Sequence, residues 1–207
     1  MMKKLIGIII GIMVISVGSA LYANQIQGSA GDRLIGTPPQ DTLIITVNVE
    51  LRVPSKIGLY IDENMLFDLS NSGASSPSQS YPPAVFPGYY YPTTASPINP
   101  QGVVVEVFSN STTHTWHLEI RGDGDFTPTI SLDQLYIAPD GTTPPAEGTP
   151  TPPSPWTPLS TTFQELNSGQ KTNGWAHYNK DFIFQAQADD EPVSSATRTL
   201  FFRLWAQ

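Results

Sequence analysis

The sequence contains no cysteine. That single absence removes disulfides, a thiol nucleophile and thiolate metal ligands. Charge is sparse as well, at 14% of residues, and lopsided: 10 Lys and Arg face 18 Asp and Glu, for a formal net charge of −8. A surface of that sign repels phosphate backbones and anionic headgroups, so nucleic acid and membrane surfaces are not expected partners, while cations and neutral glycans remain. Histidine is scarce too. His114, His117 and His177 are the three in the chain, and none has a carboxylate or a second histidine at metal-motif spacing. No local pattern brings a nucleophile, a base and an orienting group together, so neither a catalytic residue nor a cofactor is expected. Also missing, beyond the N-terminal apolar run, is any stretch with helical periodicity.

That N-terminal run is the first feature actually present. Met1, Met2, Lys3 and Lys4 precede an apolar stretch from Leu5 to Val17, and small residues follow at Gly18, Ser19, Ala20 and Ala23. A basic cap, an apolar core and a small-residue exit make up a secretory signal, here residues 1–23, with cleavage after Ala20 or Ala23. The alternative is a retained anchor, although the run is shorter than the ~20 apolar residues a bilayer span needs. Loss of Lys3 and Lys4 with the signal would make the chain more negative by two charges. The expected location is secreted or at the cell surface. No membrane contact is expected beyond this segment.

The remainder reads as strands. Residues 24–40 are mostly small and polar and predict a flexible leader that includes Leu34 and Ile35. Leu43, Ile45, Val47, Val49, Leu51 and Val53 then fall on every second position, ending at Pro54. This period of two predicts one strand laying an apolar row onto a core. Shorter alternations follow at Ile57 to Ile61, Val103 to Val107, Trp116 to Ile120, Thr129 to Ala138, Leu159 to Leu166, Ala176 to Ala188 and Thr197 to Ala206. Phe182, Phe184 and Ala186, and likewise Leu200, Phe202 and Leu204, are expected to point inward. About eight short strands separated by turns, without an amphipathic helix, predict an all-β fold: an antiparallel two-sheet β-sandwich, Ig-like or WxL-like, over residues 41–207.

Two Pro-rich insertions, 71–100 and 142–158, interrupt the strands, and the sequence holds 20 prolines in all. A loop as long as 71–100 inside a compact domain is usually functional or disordered. The insertions carry Tyr81, Phe86, Tyr89, Tyr90, Tyr91 and Trp156. These rings either close one end of the sandwich as a lid or form a platform on which a sugar ring or a protein partner docks, with Tyr89, Tyr90, Tyr91 and Trp156 as the candidate ligand-binding residues. Asp123 and Asp125, and Asp189 and Asp190 beside Glu191, are candidate calcium donors, although neither segment holds the 6 to 8 ligands such an ion takes. Arg121-Gly122-Asp123 spells an integrin-binding tripeptide in an expected hairpin turn, where Gly and Asp are also ordinary turn residues. Asn110-Ser111-Thr112 fits a glycosylation sequon.

The order of features after Val53 carries a resemblance. A Val-Pro step leads into a short strand, a valine-rich strand follows at 103–107, then Trp116-His117-Leu118, Phe126 and a strand from Leu132 to Ile137. It resembles the bacterial WxL-type surface domain, with Trp116 and Leu118 as the matching motif. Arg203-Leu204-Trp205 near the end has a tryptophan but departs from the second motif, so the family's attachment to peptidoglycan does not carry over. The resemblance implies a β-sandwich at the cell surface whose partners are other surface proteins or cell-wall glycan. The expected function is a non-catalytic exported structural or adhesion module. Its alternatives are a carbohydrate-binding module and a pilus-like subunit whose leader adds itself as a strand to a neighbour.

Overall fold

The computed structural model describes residues 24–29, 31–35, 41–71 and 76–207. The expected signal, 1–23, lies outside them. Two compact units divide the chain at Val53 and Pro54. In the first, β1 (Asn24–Ser29) pairs in parallel with β2 (Asp41–Thr46), from Asn24 opposite Asp41 to Ser29 opposite Thr46. Two sequence expectations are corrected here. The leader 24–40 contains a strand, and the strand expected from Leu43 to Val53 ends at Thr46. Residues 41–53 therefore belong to a different unit from the rest of the expected 41–207 domain.

The second unit is all-β, with several antiparallel sheets. Its strands are β3 (Ile57–Ile61), β4 (Gly88–Tyr90), β5 (Gly102–Val103), β6 (Val105–Ser109), β7 (Trp116–Gly122), β8 (Leu135–Pro139), β9 (Thr157–Pro158), β10 (Gln164–Gly169), β11 (Ala176–His177), β12 (Lys180–Ala186) and β13 (Leu200–Ala206). Short 3-10 turns lie at Leu69–Asn71 and Leu132–Gln134, the latter taking up part of the strand expected from Thr129. One sheet runs β10-β7-β13, a second β11-β6-β3 and a third β4-β12-β8-β9, with β5 also on β12. All pairings in this unit are antiparallel.

All three sheets contribute to one core. Val105 and Val107 of β6, Trp116, Leu118 and Ile120 of β7, Leu135 and Ile137 of β8, and Phe182 of β12 pack together there. Alternation explains the choice, since β6 and β7 bury every second side chain and turn the others outward. β12 departs from this rule because all its residues are buried. Its second face is roofed by the Pro-rich insertions: Ile183 packs with Tyr89, Tyr91, Tyr136, Ala138 and Trp156. A strand covered on both sides has to find internal partners for most of its polar groups. Lys180 Nζ donates to Asn167 Oδ1 at 2.6 Å, Gln185 Nε2 donates to the Tyr89 hydroxyl at 2.7 Å, and Asp181 Oδ2 accepts the Gly141 N–H at 2.8 Å.

Candidate functional site

The aromatic residues of the insertions are interior. Tyr89, Tyr90, Tyr91 and Trp156 are all buried, and the polar ends of Tyr89, Tyr90 and Trp156 are taken up by main-chain carbonyls. The Tyr89 hydroxyl donates to Thr149 O at 2.5 Å, the Tyr90 hydroxyl to Ser80 O at 2.7 Å, and the Trp156 indole N–H to Thr143 O at 2.9 Å. Burial pushes the Tyr90 hydroxyl up to about 12, helped by the nearby negative charge of Glu147. Tyr91 is likewise pushed up to about 12 by burial, with Asp181 adding to it. A stacking platform needs an open ring face, and these four rings present none. As expected ligand-binding residues they are corrected to interior packing: Tyr89, Tyr91 and Trp156 cover Ile183, Tyr136 and Ala138, while Tyr90 packs with Ile130, Phe184 and Ala186. Tyr81, Val85, Phe86 and Ile98 of the first insertion stay exposed.

Nor do the acidic candidates form a site. Asp125 Oδ1 accepts the Leu132 N–H at 2.9 Å, and Asp190 accepts from Gln134 Nε2 and from the Gln187 N–H at 2.8 Å. These carboxylates cap turns of their own chain, which is a common use of aspartate. Among the described residues, no three His, Asp or Glu side chains gather closely enough to hold a metal ion, so Asp123, Asp125, Asp189 and Asp190 are corrected as calcium donors. A shallow open depression of about 290 Å³ is lined by Phe86, Pro87, Pro150, Gln185, Gln187, Ala188 and Asp189. Asp189 is the sole titratable group among its lining residues, so the depression holds no acid–base pair.

The tripeptide Arg121-Gly122-Asp123 is not displayed at a turn tip. Arg121 and Gly122 close β7, with Gly122 opposite Leu200, and a Cβ on Gly122 would meet Leu132 Cδ2 at 2.6 Å. The Arg121 guanidinium lies over the Phe201 ring at 4.5 Å and the Phe163 ring at 5.1 Å. The histidines are equally engaged. His117 pairs with Glu165 at 2.7 Å and stacks on Trp205 at 4.4 Å, His177 lies 3.5 Å from Glu106, and His114 Nδ1 meets Ser111 Oγ at 2.9 Å. Hydrogen bonding to His117 holds the Glu165 carboxyl below its ordinary range. The residues of the family-like motif, Trp116 and Leu118, face the core of the three sheets.

What remains is a feature that the strand pattern marked but assigned to the interior. Val47, Val49, Leu51 and Val53 are 64%, 87%, 82% and 71% exposed, and Leu43 and Ile45 are exposed as well. Residues 47–53 belong to no strand and have no main-chain hydrogen bond among the described residues. Their one polar contact is a side-chain pair, Arg52 Nε to Glu50 Oε1 at 2.6 Å. Alternation shows that one side of a strand requires cover, but is silent on where the cover comes from. The clue available in the sequence was Pro54, which separates this run from β3. Comparison with family models, with curated proteins and with solved structures finds no match.

Proposed function

We propose that the chain is a non-catalytic structural subunit of an exported surface or envelope assembly. In this reading residues 54–207 form a two-layer β-sandwich, and residues 47–53 join it to its neighbours by strand addition. The observation that carries the proposal is the exposed row Val47, Val49, Leu51 and Val53. Covering a valine or leucine side chain stabilises by about 1.5–3 kcal/mol. Four such side chains left in water at alternate positions are costly to keep soluble unless a partner covers them. The signal-like N-terminus supports export, the resemblance to WxL-type domains supports a surface location, and the interior position of the aromatic residues favours a structural role over glycan binding.

Sedimentation of the chain beside the Leu51→Asp variant tests this reading. The parent chain is expected to sediment as species heavier than a monomer, and the charge placed in the apolar row is expected to return it to the monomer with its far-ultraviolet circular dichroism unchanged. A monomeric parent at all accessible concentrations would overturn the proposal.

A further inference from the structure

The exposed row needs an acceptor, and the second unit offers one pair of edges suited to it. Among the described residues of this unit seven strands lie at sheet edges: β3 and β11, β10 and β13, β4, β5 and β9. β5, β9 and β11 are two residues long, and β4 is a three-residue strand buried throughout. β10 is mostly polar, and its pairing with β7 is broken by a bulge between Glu165 and Asn167. That leaves β3 and β13. Each bonds to a partner on one side only, and on the other side neither makes a main-chain hydrogen bond among the described residues. The two approach one another without sharing a ladder.

The side chains of these two strands show what is missing. Leu59 and Ile61 on β3, with Leu200, Phe202 and Leu204 on β13, pack against the main core yet stay only partly buried. Their counterparts on the inner strands β6 and β7 are sealed. The core is thus open along the line where the two edges face each other. A strand with alternate apolar side chains added to either edge would cover part of that line and give that edge main-chain partners. β13 has seven residues, as many as Val47 to Val53.

Resting on the assembly reading above, the geometry points to an acceptor for residues 47–53: the facing edges of β3 and β13 in a second copy, where the strand's apolar row completes the open side of the core. Asn48, Glu50 and Arg52 then point to solvent, beside the outward residues Tyr60, Phe201 and Arg203. The natural absence of cysteine makes the test clean. Full-length chains carrying Asn48→Cys or Glu50→Cys are mixed under oxidising conditions with chains carrying Tyr60→Cys, Phe201→Cys or, as the control edge, Glu165→Cys. All of these positions are exposed, and circular dichroism checks that each variant keeps the fold.

Disulfide-linked pairs are expected between the donor cysteines and positions 60 and 201, with position 165 giving none. A synthetic peptide of residues 43–54, added to the unmodified chain, is expected to occupy the edges and suppress the heavy species. If heavy species persist while cross-links form only at position 165, or at none of these edges, the β3 and β13 assignment is overturned and the assembly reading stands. If no heavy species form at all, the assembly reading itself has failed.

Discussion

Trp116 offers the sharpest test of whether the matching motif is architecture. It is 1% exposed, its indole N–H donates to Gln170 O at 2.6 Å, and its ring meets Tyr178 edge-on at 5.1 Å. Opposite it in the ladder stands Gly169, where a Cβ would come within 2.9 Å of Trp116 Cζ2. Trp116→Phe removes the hydrogen bond, about 1 kcal/mol, and leaves a void where the larger ring lay, which brings the total cost to about 2–4 kcal/mol. Gly169→Ala alone crowds the indole and costs about 1–3 kcal/mol. In the double variant the added methyl enters the space that the smaller ring vacates. The two changes should therefore fall short of additivity by about 1–2 kcal/mol. Urea unfolding followed by far-ultraviolet circular dichroism gives all four stabilities, and an unchanged slope confirms that one transition is compared throughout. Strict additivity, or a Trp116→Phe variant as stable as the parent, would refute the packing described for β7 and β10.

Three further outcomes follow from groups on and around β12. Burial raises the Asp181 carboxyl above its ordinary value, and its Oδ1 has no partner; a raised folded pKa favours the protonated form, so stability should fall as pH rises from about 4 through that folded value. Asp181→Asn keeps an acceptor for Gly141 and should flatten this fall, read as unfolding temperature against pH; a parallel pair of curves would contradict it. Gly102→Ala would put a methyl 1.9 Å from Lys180 O, a main-chain overlap that the β5 and β12 pairing cannot relieve, and should cost about 3 kcal/mol or more in thermal unfolding. Tyrosinate absorbance on alkaline titration should show Tyr90 and Tyr91 ionising near 12, as befits buried rings; a titration of these two rings complete near the ordinary value of about 10 would place them in water.

The all-β class was legible because alternation is a property of the chain itself. β6, β7 and β13 are found where Val105, Leu118 and Phe202 marked them, and Phe182, Phe184 and Ala186 are buried as their spacing predicted. β12 was harder to read. A strand covered on both faces loses the polar half of its alternation, and the roof over its second face comes from proline-rich segments with no regular pattern of their own. For the same reason Tyr89, Tyr90, Tyr91 and Trp156 looked available for a ligand: their burial depends on contacts distant in the chain, such as Tyr89 with Gln185, which local spacing cannot register.

The strongest alternation of all led to the largest correction. Leu43 to Val53 has a more regular apolar row than any strand of the second unit, yet its side chains lie in solvent while the less regular β12 is sealed. Regularity and burial within one chain are separate properties. A strand meant for another molecule must carry its whole recognition code locally, in a continuous alternating row, because it has no neighbouring strands of its own to fix register. A strand inside its own fold can share that task with turns and with the partners on either side. The regularity of residues 43–53 is therefore what a strand of intermolecular destination requires, and the half-covered Leu59, Ile61, Leu200, Phe202 and Leu204 are what its destination should look like from the other side.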